Sequence, residues 1–397
     1  MLALLFRKYG IQSRNIPILI FYEIIGGMLF FLPVIALYLE ENLANVTNVG
    51  IIFAVEAVAI AVFEIPSGAV SDLFGRKRSL VVASMLVFIA IIFLYLGGSM
   101  LNFIIFAILN ALGRSLVSGT ESAIIYDSLK EEGKQKYYKK VIGTMYALWP
   151  VGAAVGSIVG GYLASASLEF PVVFSLIPIS MCFLLMLLLK EPHYHKEQDM
   201  NMLIHIKKAT GLVLARRQLI ILFFGGLLLW GIGESVHHLN SIFFDFKEIP
   251  VLYFGYISAA LFALSSIGHY VANDVSEMFG DKKTLIAAVT LSPLLLMFST
   301  LTGGWISVLI FIVPSFFFGL RRPIIDHLLN CEVTSSKRAT VISMNNFFGF
   351  IGFAAYSVLL GFVSDLYNVN MGFRISALIL FIVPIIFLSL EDDRTLR

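Results

Sequence analysis

Twelve long apolar stretches constrain the fold of this sequence more than any other feature. Each is close to the ~20 residues with which an α-helix crosses ~30 Å of hydrocarbon. Because 58% of the residues are hydrophobic and only 14% are charged, the polar side chains are too few to coat a soluble globule. We therefore expect the chain in a bilayer, with spans at 15–39, 47–70, 79–97, 101–126, 140–164, 170–189, 218–243, 250–274, 283–302, 304–328, 339–363 and 372–391.

The spans are predicted to be helices because segments such as 176–189 are apolar on every side, whereas the strands of a membrane β-barrel alternate apolar and polar residues. The stretch at 15–39 is too long for the apolar core of a signal peptide, so we expect a retained helix. The predicted fold class is an all-α polytopic membrane protein with twelve transmembrane helices in two pseudo-symmetric six-helix bundles.

Lysine and arginine are distributed over the loops in a way that predicts orientation. Nearly all of them share a side with the N-terminus, and the loops on the other side hold only Lys247 and Arg374. Since positively charged loops stay cytoplasmic, we predict that both termini are cytoplasmic and that the protein is multi-pass in a plasma or inner membrane. The net charge of +2 then reflects loop topology, and no nucleic-acid partner is expected.

A charged decapeptide occurs twice, as SDLFGRKRSL at 71–80 and as SEMFGDKKTL at 276–285, which is 205 residues later (276 against 71). Both copies fall on the predicted cytoplasmic side, after the second span of each half. We therefore predict an N-terminal bundle at 1–189, a cytoplasmic linker at 190–217 and a C-terminal bundle at 218–397. Repeated bundles of this kind place a cavity on their shared axis and suit alternating access.

The first copy, with the residues before it, resembles the hallmark loop of the major facilitator superfamily and, within it, the drug:proton antiporter branch with twelve spans. The motif places Gly, Asp, Gly and two basic residues at fixed spacing, here Gly68, Asp72, Gly75, Arg76 and Lys77. The second copy departs from the motif, with Asn273, Glu277 and Asp281 at the matching positions. The resemblance implies a proton-coupled secondary transporter that works by alternating access.

Span five contains a row of glycines that resembles the Gly-rich signature of the antiporters: Gly152, Gly156, Gly160 and Gly161. Ser157 stands where the family usually has proline, which keeps an importer open as the alternative to an exporter. Glycines four residues apart also let helices approach closely in lipid, so packing alone explains the row equally well.

The charged hairpins are candidates for a conformational gate. Gly75 suits a tight turn because glycine adopts backbone conformations that other residues avoid. Asp72 can pair with the basic cluster or cap the start of a neighbouring helix. The alternative is a simple positive-inside anchor. The predicted gate residues are Gly68, Asp72, Gly75, Arg76, Lys77 and Glu277.

Carboxylates inside the spans are candidates for proton coupling, because a charge in hydrocarbon costs at least ~2.5 kcal/mol and needs a partner or a function. Glu23 in span one ranks first, with a hydrogen bond to a neighbouring helix as the alternative. Glu121 ranks second, with Arg114 as its partner seven residues earlier on nearly the same helix face. Glu234 lies one turn from two histidines, which form either a proton relay or part of the external interface.

Aromatic and pliable side chains on helices expected to face the cavity predict an amphiphilic or aromatic small-molecule substrate. Arg322 and Asp326 are spaced for an intrahelical ion pair, either in the binding site or at the cytoplasmic mouth. The predicted cavity residues are Tyr22, Phe30, Met145, Trp149, Arg322 and Asp326.

The function predicted from these residues is proton-coupled export of a small organic molecule, and the alternative is a proton symporter that imports one. The sequence contains no zinc-protease or nucleophile-elbow motif and no phosphate-binding loop, so we expect neither an enzyme nor an ATP-driven pump. Cys182 and Cys331 lie in different halves, with no spacing for a metal site. We expect no cofactor and a monomer.

Overall fold

The computed structural model describes residues 10–192, 216–333 and 335–390, and these residues form helices and connecting loops without a strand. Gln135–Tyr137 and Val251–Tyr253 form short 3₁₀ turns. The α-helices of the described residues are α1 (Asn15–Gly27), α2 (Ile35–Leu43), α3 (Val46–Phe74), α4 (Arg76–Leu96), α5 (Met100–Glu131), α6 (Tyr138–Ala164), α7 (Glu169–Leu187), α8 (Arg217–His238), α9 (Asn240–Phe246), α10 (Phe254–Phe279), α11 (Asp281–Leu301), α12 (Gly304–Ile312), α13 (Pro314–Cys331), α14 (Ser335–Leu366), α15 (Val369–Leu380) and α16 (Ile382–Phe387).

The helices reproduce the predicted spans. Within the described residues, eleven helical segments are long and apolar enough to cross a membrane, and they coincide with the second to twelfth predicted stretches. The first predicted stretch, at 15–39, forms the shorter apolar helix α1, a break, and then α2. The prediction of an all-α polytopic fold with twelve spans is therefore confirmed.

The chain divides into two compact units, each formed by two segments. The first unit contains residues 1–34 and 59–198, and the second contains residues 35–58 and 199–397. The segment 35–58 therefore belongs with the C-terminal half. The predicted linker at 190–217 lies largely outside the described residues, and the predicted domain boundaries stay a prediction.

Each unit packs its helices in the same pairs. In the first unit α1 packs on α6 and α7, and α4 packs on α5 and α7. In the second unit α8 packs on α14, α15 and α16, and α11 packs on α13, α15 and α16. Spans one, three, four, five and six are thus matched by spans seven, nine, ten, eleven and twelve, which is the pairing that an internal repeat of six spans predicts.

The glycines of α6 allow α1 to lie directly against that helix. A Cβ atom at Gly152 would lie 2.0 Å from the carbonyl oxygen of Ile24, and one at Gly160 would lie 1.9 Å from the carbonyl oxygen of Phe30. A Cβ atom at Gly156 would lie 2.7 Å from the Cα atom of Met28, just after α1. The glycine row therefore sets the closest approach between two helices, which is the packing role considered from the sequence.

The break between α1 and α2 exposes backbone groups that hydrocarbon cannot satisfy. In this break the main-chain N–H of Phe30 donates to Oγ of Ser175 on α7, at 2.9 Å. The Ser175 hydroxyl in turn donates to the carbonyl oxygen of Pro171, at 2.7 Å. The unwound segment is thus held by a buried side chain of its own unit.

The segment 35–58 is tied into the second unit by side-chain hydrogen bonds. The N–H of Leu37 donates to Oγ of Ser241, at 3.1 Å. The carboxylate of Asp365 accepts from the N–H groups of Val46 and Thr47, each at 2.8 Å. Because these N–H groups open helix α3, Asp365 from α14 caps the second span.

Candidate functional site

Two carboxyl groups meet inside the first unit. Glu23 on α1 and Glu121 on α5 are hydrogen-bonded to one another, and the residues are 8% and 4% exposed. Among the described residues no N–H or O–H group donates to the buried Oε1 atom of Glu121. A hydrogen bond between two carboxyl groups requires a proton on one of them, because a carboxylate only accepts. The pair is therefore suited to bind one shared proton.

The surroundings of the carboxyl pair are aromatic and weakly polar. Tyr22, Tyr146 and Cys182 interact electrostatically with the pair. The thiol of Cys182 also lies 3.9 Å from the carbonyl oxygen of Tyr22. Among the described residues, the charge that acts on Glu121 most directly is that of Glu23. An uncompensated second negative charge would be costly here, so the arrangement favours a shared proton over two carboxylates.

The predicted pairing of Glu121 with Arg114 stays a prediction. Glu121 is hydrogen-bonded to Glu23 from another helix, and the Arg114 side chain is exposed. Seven residues of helix place the Cα atoms of Arg114 and Glu121 about 10 Å apart along the axis, while tertiary packing brings Glu23 from α1 into contact.

The predicted cavity residues of the first unit have different environments. Met145 is 0% exposed and belongs to a hydrophobic core with residues of α1 and α5, so its placement in a cavity is corrected. Tyr22 is partly buried against the same core and next to Glu23. Phe30 lies in the break after α1, and Trp149 is 36% exposed on α6.

Glu234 in the second unit lies beside a histidine enclosed by two phenylalanines. The Nδ1 atom of His238 is 2.9 Å from the carbonyl oxygen of Glu234 and 3.7 Å from its carboxylate. Since a carbonyl oxygen only accepts, Nδ1 carries a hydrogen. The rings of Phe53 and Phe353 lie 5.0 and 4.8 Å from the imidazole, between ring centroids. The predicted proximity of Glu234 and a histidine is thus present.

The two arginines of span ten differ in their partners. Arg322 lies 3.6 Å from Asp326 and covers the ring of Trp230 at 4.6 Å, so the predicted intrahelical pair is present. Arg321 is 7% exposed, and its guanidinium lies 5.2 Å from the ring of Phe318. Its Nη2 atom donates to the carbonyl oxygen of Leu229 at 3.4 Å, a long hydrogen bond.

The first charged hairpin turns at Gly75, whose φ angle of 100° lies in the region that favours glycine. The next helix, α4, is capped by Glu191, whose carboxylate accepts from the N–H groups of Arg76 and Lys77 at 2.7 and 2.9 Å. At the start of α4 the cap is thus supplied by Glu191, and the role predicted for Asp72 stays a prediction.

The arginine of this hairpin pairs with a buried carboxylate. Nε of Arg76 lies 2.9 Å from Asp127 on α5, and both side chains are largely buried. Asp72 is also near Arg76, but at 3.9 Å and with an exposed side chain. Gly68, which precedes them in the motif, lies within α3. Three helices of the first unit thus converge on one arginine.

The second hairpin repeats the turn and changes the charges. Gly280 has a φ angle of 87°, close to the angle of its counterpart in the first half. The acid that follows it, Asp281, opens α11 and lies 3.6 Å from Nε2 of His327. Glu277 accepts a hydrogen bond from the side chain of Asn273, at 2.9 Å. In this copy an acid–imidazole pair stands where the first copy has an arginine–aspartate pair.

Sequence reasoning missed Asp127 and Glu191 as members of these sites. Arg321 stands out in the sequence as a charge in an apolar span, which needs a partner, but its environment does not follow from the sequence. Asp127 and Glu191 lie at the predicted ends of spans, where acids are common, and the sequence carries no signal of their contacts.

Comparisons with known proteins agree with this architecture. A sequence model of the Major Facilitator Superfamily matches residues 18–325. An uncharacterized MFS-type transporter of Bacillus subtilis (strain 168), YxaM, is 23% identical over 372 residues, which are 91% of each chain. Tetracycline resistance protein, class H, of Pasteurella multocida is 21% identical and covers 86% of this chain and 88% of its own. A solved D-xylose-proton symporter has a TM-score of 0.78 at 14% identity and covers 96% of this chain and 99% of its own, which shows a common fold.

Proposed function

Because the chain belongs to the Major Facilitator Superfamily and is a multi-pass transporter of that family, we propose that it couples proton movement to the export of a small amphiphilic or aromatic molecule. The proposal places the protein in a plasma or inner membrane, as a monomer with both termini in the cytoplasm. The distribution of lysine and arginine over the loops supports that orientation.

The observation that carries proton coupling is the hydrogen-bonded pair of Glu23 and Glu121. Both carboxyl groups are buried within the membrane-spanning helices and act on each other, which suits the binding of one shared proton. Loss of that proton would leave two carboxylates in contact in a low-dielectric interior, which is unfavourable. Release therefore requires the two helices to separate or water to enter. Either event couples protonation to conformation, which is what a proton-driven transporter needs.

Glu234 is the second proton-coupling candidate. A protonated His238 would carry a positive charge 3.7 Å from the Glu234 carboxylate and between two phenyl rings, which attract cations. In this proposal the first unit binds a proton between acids and the second binds one on an imidazole.

The charged hairpins are proposed to stabilise one conformation of the alternating-access cycle. The buried pair of Arg76 and Asp127 joins α4 to α5, and the predicted residue Asp72 adds a weaker contact. The pair of His327, which is exposed, and Asp281, which is largely buried, joins α13 to α11. Ion pairs between helices can exchange partners when the helices move, so these pairs fit a conformational gate better than a fixed anchor.

Export is favoured by the relationship to the tetracycline resistance protein. The alternative, import by proton symport, is favoured by the likeness to the D-xylose-proton symporter and by Ser157 in place of a proline. The aromatic surroundings of the carboxyl pair support an amphiphilic or aromatic cargo in either direction.

The test is transport by purified protein in liposomes with an imposed pH gradient. A panel of aromatic cations, acids and neutral compounds is offered, and cargo and internal pH are followed together. Proton-coupled export predicts opposite movement of cargo and protons, and symport predicts movement in the same direction. Transport that is equal with and without the pH gradient for every cargo would contradict proton coupling.

A further inference from the structure

Arg321 has an unusual environment for an arginine in the middle of a membrane-spanning segment. It lies on α13, within the span Gly304–Cys331, and is 7% exposed. A guanidinium carries five N–H donors and keeps its charge in proteins. Among the described residues its hydrogen bonding is limited to the 3.4 Å contact of Nη2 with the Leu229 carbonyl oxygen.

The nearest acids do not neutralise this guanidinium by direct contact. Within the described part of the chain no carboxylate oxygen lies within 4.0 Å of it. Glu234 attracts it from a greater distance, while the Glu234 carboxylate is 3.7 Å from His238. Asp326 is engaged by Arg322, and Arg322 repels its neighbour. A buried, fixed charge with most of its donors unused is a costly arrangement unless an anion completes it.

The environment of Arg321 also suits an aromatic ligand. The ring of Phe318 lies 5.2 Å from the guanidinium, and Trp230 lies between Phe318 and Phe350 with centroid distances of 6.4 Å to each. Gly233 faces the guanidinium, since a Cβ atom there would lie 3.5 Å from Nη2. The guanidinium thus faces the ring of Phe318, beside which further aromatic rings lie, and a residue without a side chain.

We propose that Arg321 is the binding residue for an anionic group of the cargo, and that the cargo class is an aromatic organic acid. The planar fork of the guanidinium binds a carboxylate, sulfonate or phosphate through two parallel hydrogen bonds, and the neighbouring rings contact the aromatic part. This inference rests on the proposed transport function and narrows its substrate class.

The test compares two probes that differ only in charge, 2-naphthoate and 2-naphthamide. Their binding to the full-length protein is measured by calorimetry in nanodiscs of zwitterionic phosphatidylcholine. We expect the carboxylate to bind about tenfold tighter or more. Arg321→Gln is expected to abolish this preference. Arg374→Gln is the matched control, because Arg374 belongs to the same unit but donates to Thr300, and it is expected to retain the preference.

Arg321→Lys provides the test if the glutamine variant does not fold. It keeps the positive charge but loses the planar fork, so the preference should fall several-fold without disappearing. The proposal is overturned if wild-type protein binds the amide as tightly as the acid, or if Arg321→Gln keeps the full preference.

Nanodiscs with added phosphatidylglycerol identify the source of the anion. Unchanged naphthoate affinity supports a cargo site, whereas strong competition assigns the guanidinium to a lipid headgroup and overturns the cargo assignment. Inorganic phosphate is tested as a soluble competitor, and weak competition is expected because it lacks the ring.

Charge-selective binding without pH-driven transport would leave this inference standing and remove the proposed function. Transport driven by pH without charge-selective binding would remove only this inference.

Discussion

The carboxyl groups of Glu23 and Glu121 are hydrogen-bonded to each other, although the two residues lie on different helices of the first unit. A hydrogen bond between two carboxyl groups depends on a proton, because a carboxylate only accepts. A glutamine at either position can still donate an N–H to the remaining carboxylate. Substitution of either glutamate by glutamine therefore removes the proton-binding site and keeps the hydrogen bond between the two helices.

Glu23→Gln and Glu121→Gln are each expected to reduce pH-driven transport in liposomes to the level of empty vesicles. The fold should be retained, because the amide preserves the hydrogen bond, so monodisperse protein and cargo exchange without a pH gradient should persist. The control is Glu169→Gln, since Glu169 is exposed in the first turn of α7. Normal pH-driven transport by either pair variant would remove that residue from proton coupling.

The two acids near Arg76 are expected to differ in their contribution to stability. Asp127→Asn leaves a buried guanidinium without its 2.9 Å partner and should cost about 3 kcal/mol. Asp72→Asn removes an exposed contact of 3.9 Å and should cost less than ~1 kcal/mol. Thermal unfolding of the purified variants in one detergent measures both. Equal losses would show that burial does not decide the strength of these pairs.

The same two variants test the proposed gate. If the hairpin stabilises one conformation, Asp127→Asn should change the labelling of single cysteines at the two mouths of the transporter more than Asp72→Asn does. Equal accessibility in both variants and in the unaltered protein would reduce the hairpin to a structural anchor.

The spans and the hairpins could be predicted from the sequence because their signals are local. An apolar stretch of membrane length forms a helix wherever it is placed, and Gly75 and Gly280 turn the chain in the same way in both halves. The break in the first span was not predicted, because residues 28–34 remain apolar and the hydrogen bond from the N–H of Phe30 to α7 has no signal in the sequence.

The site could be predicted only in part, because its contacts join distant positions of the chain. Glu23 and Glu121 were each identified from their burial cost, but their pairing depends on how α1 packs against α5. Reasoning along one helix could only suggest Arg114, which is on the same helix as Glu121, and could not find Glu23. Met145 shows the same limit, since a methionine on an apolar helix fits a core and a cavity equally well, and here it lies in the core.

Alanine substitutions in the glycine row of α6 should destabilise the first unit. A Cβ atom at Gly152 or Gly160 would lie 2.0 or 1.9 Å from a carbonyl oxygen of the α1 segment, so the helices must separate. We expect a loss of about 1–3 kcal/mol for each, as overpacking generally gives. Gly143→Ala is the control on the same helix, because a Cβ atom there meets nothing within 4 Å. Thermal unfolding that is unchanged in Gly152→Ala would contradict the close approach.

Glu40 is expected to make the stability of the second unit depend on pH. It lies on α2, after the predicted span 15–39, and its pKa is raised from 4.5 to about 7 by burial and by the nearby carboxylates of Asp245 and Asp365. The folded state therefore favours the protonated form more than the unfolded state does. The resulting stabilisation is complete below pH 4.5 and is lost as the pH rises through 7.

The measurement is the apparent melting temperature of the purified protein between pH 5 and pH 8. It should fall as the pH rises, by an amount that corresponds to ~1 kcal/mol of unfolding free energy once the half-exposed side chain of Glu40 is allowed for. Glu40→Gln should flatten part of this dependence and raise the melting temperature at pH 8, because the amide needs no proton to remain neutral. Glu41→Gln is the matched control, since Glu41 is the exposed neighbour on the same helix. The same slope in both variants would show that another group carries the dependence. Asp365 also caps α3. A negative charge on Glu40 would repel the Asp365 carboxylate, so the pH effect should extend to the start of the second span.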